Sequence, residues 1–228
     1  MRNSWWAKVL RIVGIVLMSL TAAFTLMGGI GTSCVTLNPT GFGGSFSGIA
    51  PYQWLWVLFV LIGTAAGVLG IRAVVQLVRG TKSAYRSAII ALVIGTVINA
   101  FHLFASRALR GSSMPVDGVL YTNVLTLIVF LIFRIPGIWR AVNYEKPAGD
   151  QGSGKDAASI AMGAVGLLAL TIQFMMAPTH TIGGINYADV WHATLSIIGS
   201  GLLVAGIVTA LSRRIPFALL KTRPEVIK

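Results

Sequence analysis

The sequence predicts an all-α protein, a polytopic integral membrane bundle of six transmembrane helices with both termini in the cytoplasm. Three observations predict it. First, 55% of the 228 residues are apolar and 11% charged, where a soluble domain carries about 25% charged residues. The mean hydropathy is +0.81. Second, apolar stretches of about 20 residues alternate with short polar ones, which is the length that crosses a hydrocarbon core. Third, sixteen of the eighteen Lys and Arg fall in every second polar segment. Cytoplasmic loops collect such an excess, and an even number of crossings returns the chain to the side on which it began.

The elements follow in order as helices over about 12–31, 53–71, 87–106, 118–139, 157–177 and 190–211. Arg2, Lys8 and Arg11 precede the first. Arg72, Arg79, Lys82 and Arg86 flank the turn between the second and third. The fourth is short unless Arg134 snorkels and the helix continues toward Trp139. A Gly/Ser-rich stretch from 147 to 154 makes 140–156 a flexible inner loop. Arg213, Arg214, Lys221, Arg223 and Lys228 follow the sixth. Only helices satisfy their backbone hydrogen bonds within one segment in lipid, and no period-2 alternation suggests a barrel. All six Trp and five Tyr fall near expected interfaces, where amphipathic rings belong. Trp5, Trp6, Tyr85, Trp139 and Tyr144 would mark the inner one; Tyr52, Trp54, Trp56, Tyr121, Tyr187 and Trp191 would mark the outer one.

No extramembrane segment is long enough for a soluble domain, so residues 1–228 read as a single membrane domain. The net charge of +12 points to anionic lipid head groups on the cytoplasmic side, not to nucleic acid, because the cations sit at the ends of apolar runs. Cys34 is the one cysteine. It forms no internal disulfide and belongs to no zinc spacing. A cleaved leader ending there is disfavoured. The apolar run before it is too long for a signal peptide, and Gly31 stands where a lipobox has leucine. Asn38 is followed by Pro39, which blocks glycosylation. Helices four and six both start after an aspartate and end on Arg-Ile-Pro, at 134–136 and 214–216. The unequal separations make this shared terminus chemistry, not duplication.

Small residues at helical spacing mark close packing in lipid. They are Gly63-xxx-Gly67 with Gly70, Ser159-xxx-Gly163 with Gly166, Ser196-xxx-Ser200, and Gly201-xxx-Ala205. The faces suit contacts inside one bundle; a homodimer face is the sharper alternative.

Candidate chemistry gathers at the outer half. His102, His180 and His192 all map there, with Asp189 three residues before His192. Such a set suits Zn, Cu or Fe, and His102 with His192 would suit a haem. Against this, Asp189 fits a helix N-cap and no HxxxH or HExxH spacing exists. Thr96, Asn99 and His102 make a polar stripe, and Asn123 and Thr126 face it from the fourth helix. These either bond helix to helix or floor an outward cavity at Asn99 and Asn123. Arg107 and Arg110 break the charge rule and would hold an anion or substrate, unless Asp117 partners Arg107. No predicted helix core holds a carboxylate, which proton-coupled transporters usually keep.

These motifs identify no family and no resident cofactor. They leave three readings. The first is a non-enzymatic accessory or scaffolding subunit of a larger membrane assembly. The second is a small transporter or lipid-handling protein with an outward polar cavity. The third is a membrane redox or metal protein using the outer histidines. The charge pattern suits the plasma membrane.

Overall fold

The computed structural model describes residues 5–42, 44–145, 152–182 and 184–212. Its helices are α1 (Trp5–Leu37), α2 (Gln53–Arg79), α3 (Ala84–Arg110), α4 (Val116–Phe133), the short α5 (Pro136–Val142), α6 (Gly152–His180) and α7 (His192–Leu211). Single 3-10 turns, Ser47–Tyr52 and Tyr187–Trp191, lead into α2 and α7. Among the described residues, six helical stretches are long and apolar enough to cross a membrane.

Two apolar clusters set the helix directions. One joins Ile15 and Met18 of α1, Leu77 of α2, Ala88 of α3, Phe130 of α4 and Ala161 of α6. These come from the leading halves of α1, α3 and α6 and the trailing halves of α2 and α4, so successive spans alternate in direction. The second joins Ile49, Trp56 and Phe59, with Val35 and Leu109 against them, at the opposite end. Lys8, Arg79, Lys82, Arg86, Arg134, Arg140 and Lys155 lie toward the first cluster, whereas Arg107 and Arg110 lie at the other end.

The helix ends have local causes. Gly80 (φ 68°) and Gly111 (φ 69°) take the left-handed conformation after α2 and α3, which ends a helix at no steric cost for glycine. α4 stops at Phe133 and does not run on to 139. Ile135 is extended (φ −56°, ψ 128°) because the ring of the following Pro136 disfavours the helical region there. Pro136 then opens α5 at its first position, where a missing N–H is harmless. α1 overruns its expected 12–31 at both ends, since Lys8 and Arg11 bound the apolar run without breaking a helix. The expected loop 140–156 is partly helical, in α5 to Val142 and α6 from Gly152; residues 146–151 lie outside the described residues. So does the second Arg-Ile-Pro at 214–216.

Glycine makes the closest approaches. A Cβ on Gly67 would stand 2.6 Å from the Leu26 Cα, and one on Gly29 would stand 2.6 Å from the Thr64 nitrogen. The predicted Gly63–Gly67–Gly70 face thus packs on α1. Gly166 and Gly199 approach each other's carbonyls, and the Ser159 hydroxyl donates to the Gly206 carbonyl at 2.8 Å. The α6–α7 hairpin closes through these. The Gly201–Ala205 face differs from expectation: a Cβ on Gly201 would meet no neighbouring helix within 4 Å, and both residues are exposed. A two-residue β-ladder pairs Thr181–Ile182 with Ile185–Asn186, a small departure from all-α.

Two aromatic residues expected at interfaces are core residues. Trp56 is 1% exposed and Tyr144 3%. Trp56 sits between α2 and α3 against Phe59 and His102. Tyr144 stacks on Phe130, centroids 6.0 Å apart, after α5 turns the chain back onto the bundle.

Candidate functional site

The inner face of α3 turns polar toward its C-terminal end. Asn99, His102 and Ser106 are buried there and Arg110 is half-buried. The spacing of three, four and four residues keeps them in one file. Asn99 Nδ2 donates to the Gly95 carbonyl at 2.7 Å. The His102 ring stacks on Phe59 at 4.5 Å and meets Trp56 edge-on at 5.8 Å. Ser106 is fully buried, and its hydroxyl has no partner.

A cavity of about 30 Å³ lies beside this file, with Asn99, His102, Thr32 and Phe59 in its wall. One water needs roughly 10–15 Å³ by that measure, so the space suits about two or three water molecules. Asn99 and His102 thus line one small, partly open cavity.

Asn123 is placed elsewhere. Its Nδ2 donates to Thr25 Oγ1 at 2.9 Å and to the Val119 carbonyl at 2.8 Å. Gly95 leaves room for its Oδ1, which a Cβ there would overlap. One turn on, Thr126 and Thr21 share a hydrogen bond of 2.7 Å between their hydroxyls. Thr21 also donates to the Thr122 carbonyl at 3.3 Å. This layer ties α1 to α4 and does not floor the chamber with Asn99.

The rim beyond the chamber holds both outer arginines. Arg107 Nε donates to Ser113 Oγ at 2.9 Å, and its Nη2 lies 3.2 Å from Asp117 Oδ2. The half-exposed pair neutralises Arg107. Arg110 has a different neighbour: its guanidinium carbon sits 3.8 Å from the centroid of the Phe46 ring. Phe42 meets Phe46 edge-on at 5.9 Å.

The histidines each have their own surroundings. His192 Nδ1 lies 2.8 Å from Gln173 Oε1, across the α6–α7 hairpin. His180 Nδ1 lies 3.1 Å from the Met176 carbonyl, within its own helix. Asp189 accepts from Asn186 Nδ2 at 3.0 Å. The capping role expected of Asp189 belongs to Asn186, whose side chain accepts from the Ala188 N–H at 3.1 Å. Among the described residues, no three His, Cys, Asp or Glu side chains gather as a metal site would require.

Sequence reasoning missed Phe46, Phe59, Trp56 and Ser106. Ser106 carried a usable signal, because it continues the Asn99–His102 spacing toward Arg110. The aromatic partners come from loop and helix packing that spacing does not encode. Comparison with known proteins finds no matching family model, no similar curated protein and no similar solved structure.

Proposed function

We propose that this chain is a multi-pass protein of the plasma membrane with both termini cytoplasmic, acting as an accessory or scaffolding subunit of a larger membrane assembly. One observation carries the structural role. The polar groups between α1 and α4 are consumed in hydrogen bonds between helices, Asn123 to Thr25 and Thr21 to Thr126. In a bilayer such bonds hold helices together. The exterior supports the membrane setting, with Phe104 68% exposed, Phe174 69% and Ile197 74%. The charge asymmetry between the two ends supports the orientation. α7 packs chiefly on α6, which leaves an apolar flank for lateral association.

The test is purification of the tagged chain from its native membrane in mild detergent, with mass measurement of the eluted species. A stoichiometric complex with a larger membrane protein is expected. A monodisperse monomer under those conditions overturns the reading.

The chamber at Asn99 and His102 favours a second reading, a small transporter whose path opens there. Flux in proteoliposomes lost on Asn99→Leu would support it; unchanged flux in that variant removes the site.

A further inference from the structure

We infer that Arg110, seated on the Phe46 ring, binds a phosphate oxyanion at the end of the bundle opposite the basic one. The chemical class is a phosphate ester or free phosphate, and the phospholipid head group is its source.

The argument begins with what the guanidinium lacks. Among the described residues Arg110 makes no ion pair and no hydrogen bond to protein. Its neighbour Arg107, three residues earlier, is neutralised by Asp117 and donates a hydrogen bond to Ser113. Arg110 thus carries the unneutralised charge of this rim. It is also half-buried, and its Nε is covered without a partner. A half-buried guanidinium has lost part of its hydration, and an acceptor at the donors still open offsets that loss.

Stacking decides which donors remain. Phe46 covers one flat face at 3.8 Å, and Phe42 buttresses Phe46 at 75°. The face is occupied and the planar edge is left for acceptors. With Nε covered, the two Nη groups are the donors that remain. A fork of N–H groups in one plane matches two phosphate oxygens. The residue ends α3, a span long and apolar enough to cross a membrane. It therefore stands at the depth of the phosphate layer, where long cations reach head groups. The C-terminal end of α3 also favours a cation, which holds the side chain's charge in place before any ligand arrives.

The inference rests on the membrane reading, and its test separates the two. Purified wild type, Arg110→Gln, Arg110→Lys and Arg107→Gln are titrated with phosphatidylglycerol in detergent micelles and scored for bound lipid by native mass spectrometry. Inorganic phosphate is titrated in parallel, with thermal shift as readout. Wild type should retain the lipid about tenfold better than Arg110→Gln, the scale of one charge-assisted hydrogen-bonded contact. Arg110→Lys should fall between them, because it keeps charge and loses the fork. Arg107→Gln should stay within about twofold of wild type, its charge being already matched. Retention dependent on Arg110 for inorganic phosphate alone would reassign the source and overturn the lipid claim. Equal retention by wild type and Arg110→Gln, or by Arg110→Gln and Arg110→Lys, overturns the site. If Arg110→Gln unfolds, the comparison of Arg110→Lys with wild type decides it, and equal retention overturns the site. Binding in micelles is independent of which way the chain faces, so an inverted topology would defeat the orientation and leave this result standing.

Discussion

Tyr144 is the residue whose chemistry most departs from its neighbourhood. Its ring is 3% exposed and its hydroxyl has no hydrogen-bond partner. It lies where Gly14 leaves space: a Cβ on Gly14 would overlap the Tyr144 oxygen and stand 2.8 Å from Phe133 Cε2. Gly14→Ala should therefore destabilise by about 1–3 kcal/mol through overpacking, read as a lower melting temperature in detergent. Burial pushes the Tyr144 phenol above its ordinary pKa of 10.0, while the Arg11 charge pulls it back down and Tyr85 raises it further. The unfolded chain releases this proton near pH 10 and the folded chain does not. Stability is thus fully present below that pH and falls as pH rises beyond it. Tyr144→Phe should change stability at neutral pH by less than about 1 kcal/mol, since no bond is lost. It should also flatten part of the alkaline decline; a melting curve that declines identically from pH 9.5 to 11 would show the phenol to be accessible. None of this was legible in the residue itself. Aromatic rings near a charge boundary suit an interface, and only the return of the chain after α5 buries this one. Asn123 and Thr126 were legible, because a polar side chain in an apolar span needs a partner wherever the partner lies.

At the level of helices, the small-residue spacings divide: Gly63–Gly67–Gly70 packs on α1 and Gly166 on α7, whereas the Gly201–Ala205 face is exposed. Gly67 and Gly201 look alike in sequence, each opening a small-xxx-small motif or closing one. Gly67 lies against the Leu26 backbone, whereas a Cβ on Gly201 would meet no neighbouring helix within 4 Å. Gly67→Leu should force α1 and α2 apart and cost about 3 kcal/mol or more, because backbone cannot move aside as a side chain can. Gly201→Leu should alter the melting temperature of the isolated chain little, within about 0.5 kcal/mol. Equal losses at both positions would mean that α7 packs on both sides. The same limit explains the fourth span. Its apolar run and Arg134 were consistent with continuation, but the guanidinium lies over Trp139 at 4.7 Å only because Pro136 has turned the chain first. The Arg-Ile-Pro terminus at 134–136 marks this end in the sequence, and the residues beyond it toward Trp139 form a separate short helix, α5.

At the scale of the molecule, the alternation of helix directions makes charge placement a single vector along the bundle. Lys8, Arg79, Lys82, Arg86, Arg134, Arg140 and Lys155 share one end, and Arg107 and Arg110 occupy the other, with Arg107 matched by Asp117. In the proposed orientation, moving one charge across the bilayer against a 100 mV potential would cost about 2.3 kcal/mol, and each cation on the basic end would add to the bias against inversion. The exposed positions Ser45 and Lys82 stand at opposite ends, so they report the vector directly. In a Cys34→Ser background, which removes the exposed native thiol, Ser45→Cys should react with a membrane-impermeant maleimide added to intact cells. Lys82→Cys in the same background should react only after permeabilisation. The reverse pattern would place the arginine-rich end outside, and labelling of both without permeabilisation would mean that the apolar helices do not separate the two ends by a bilayer.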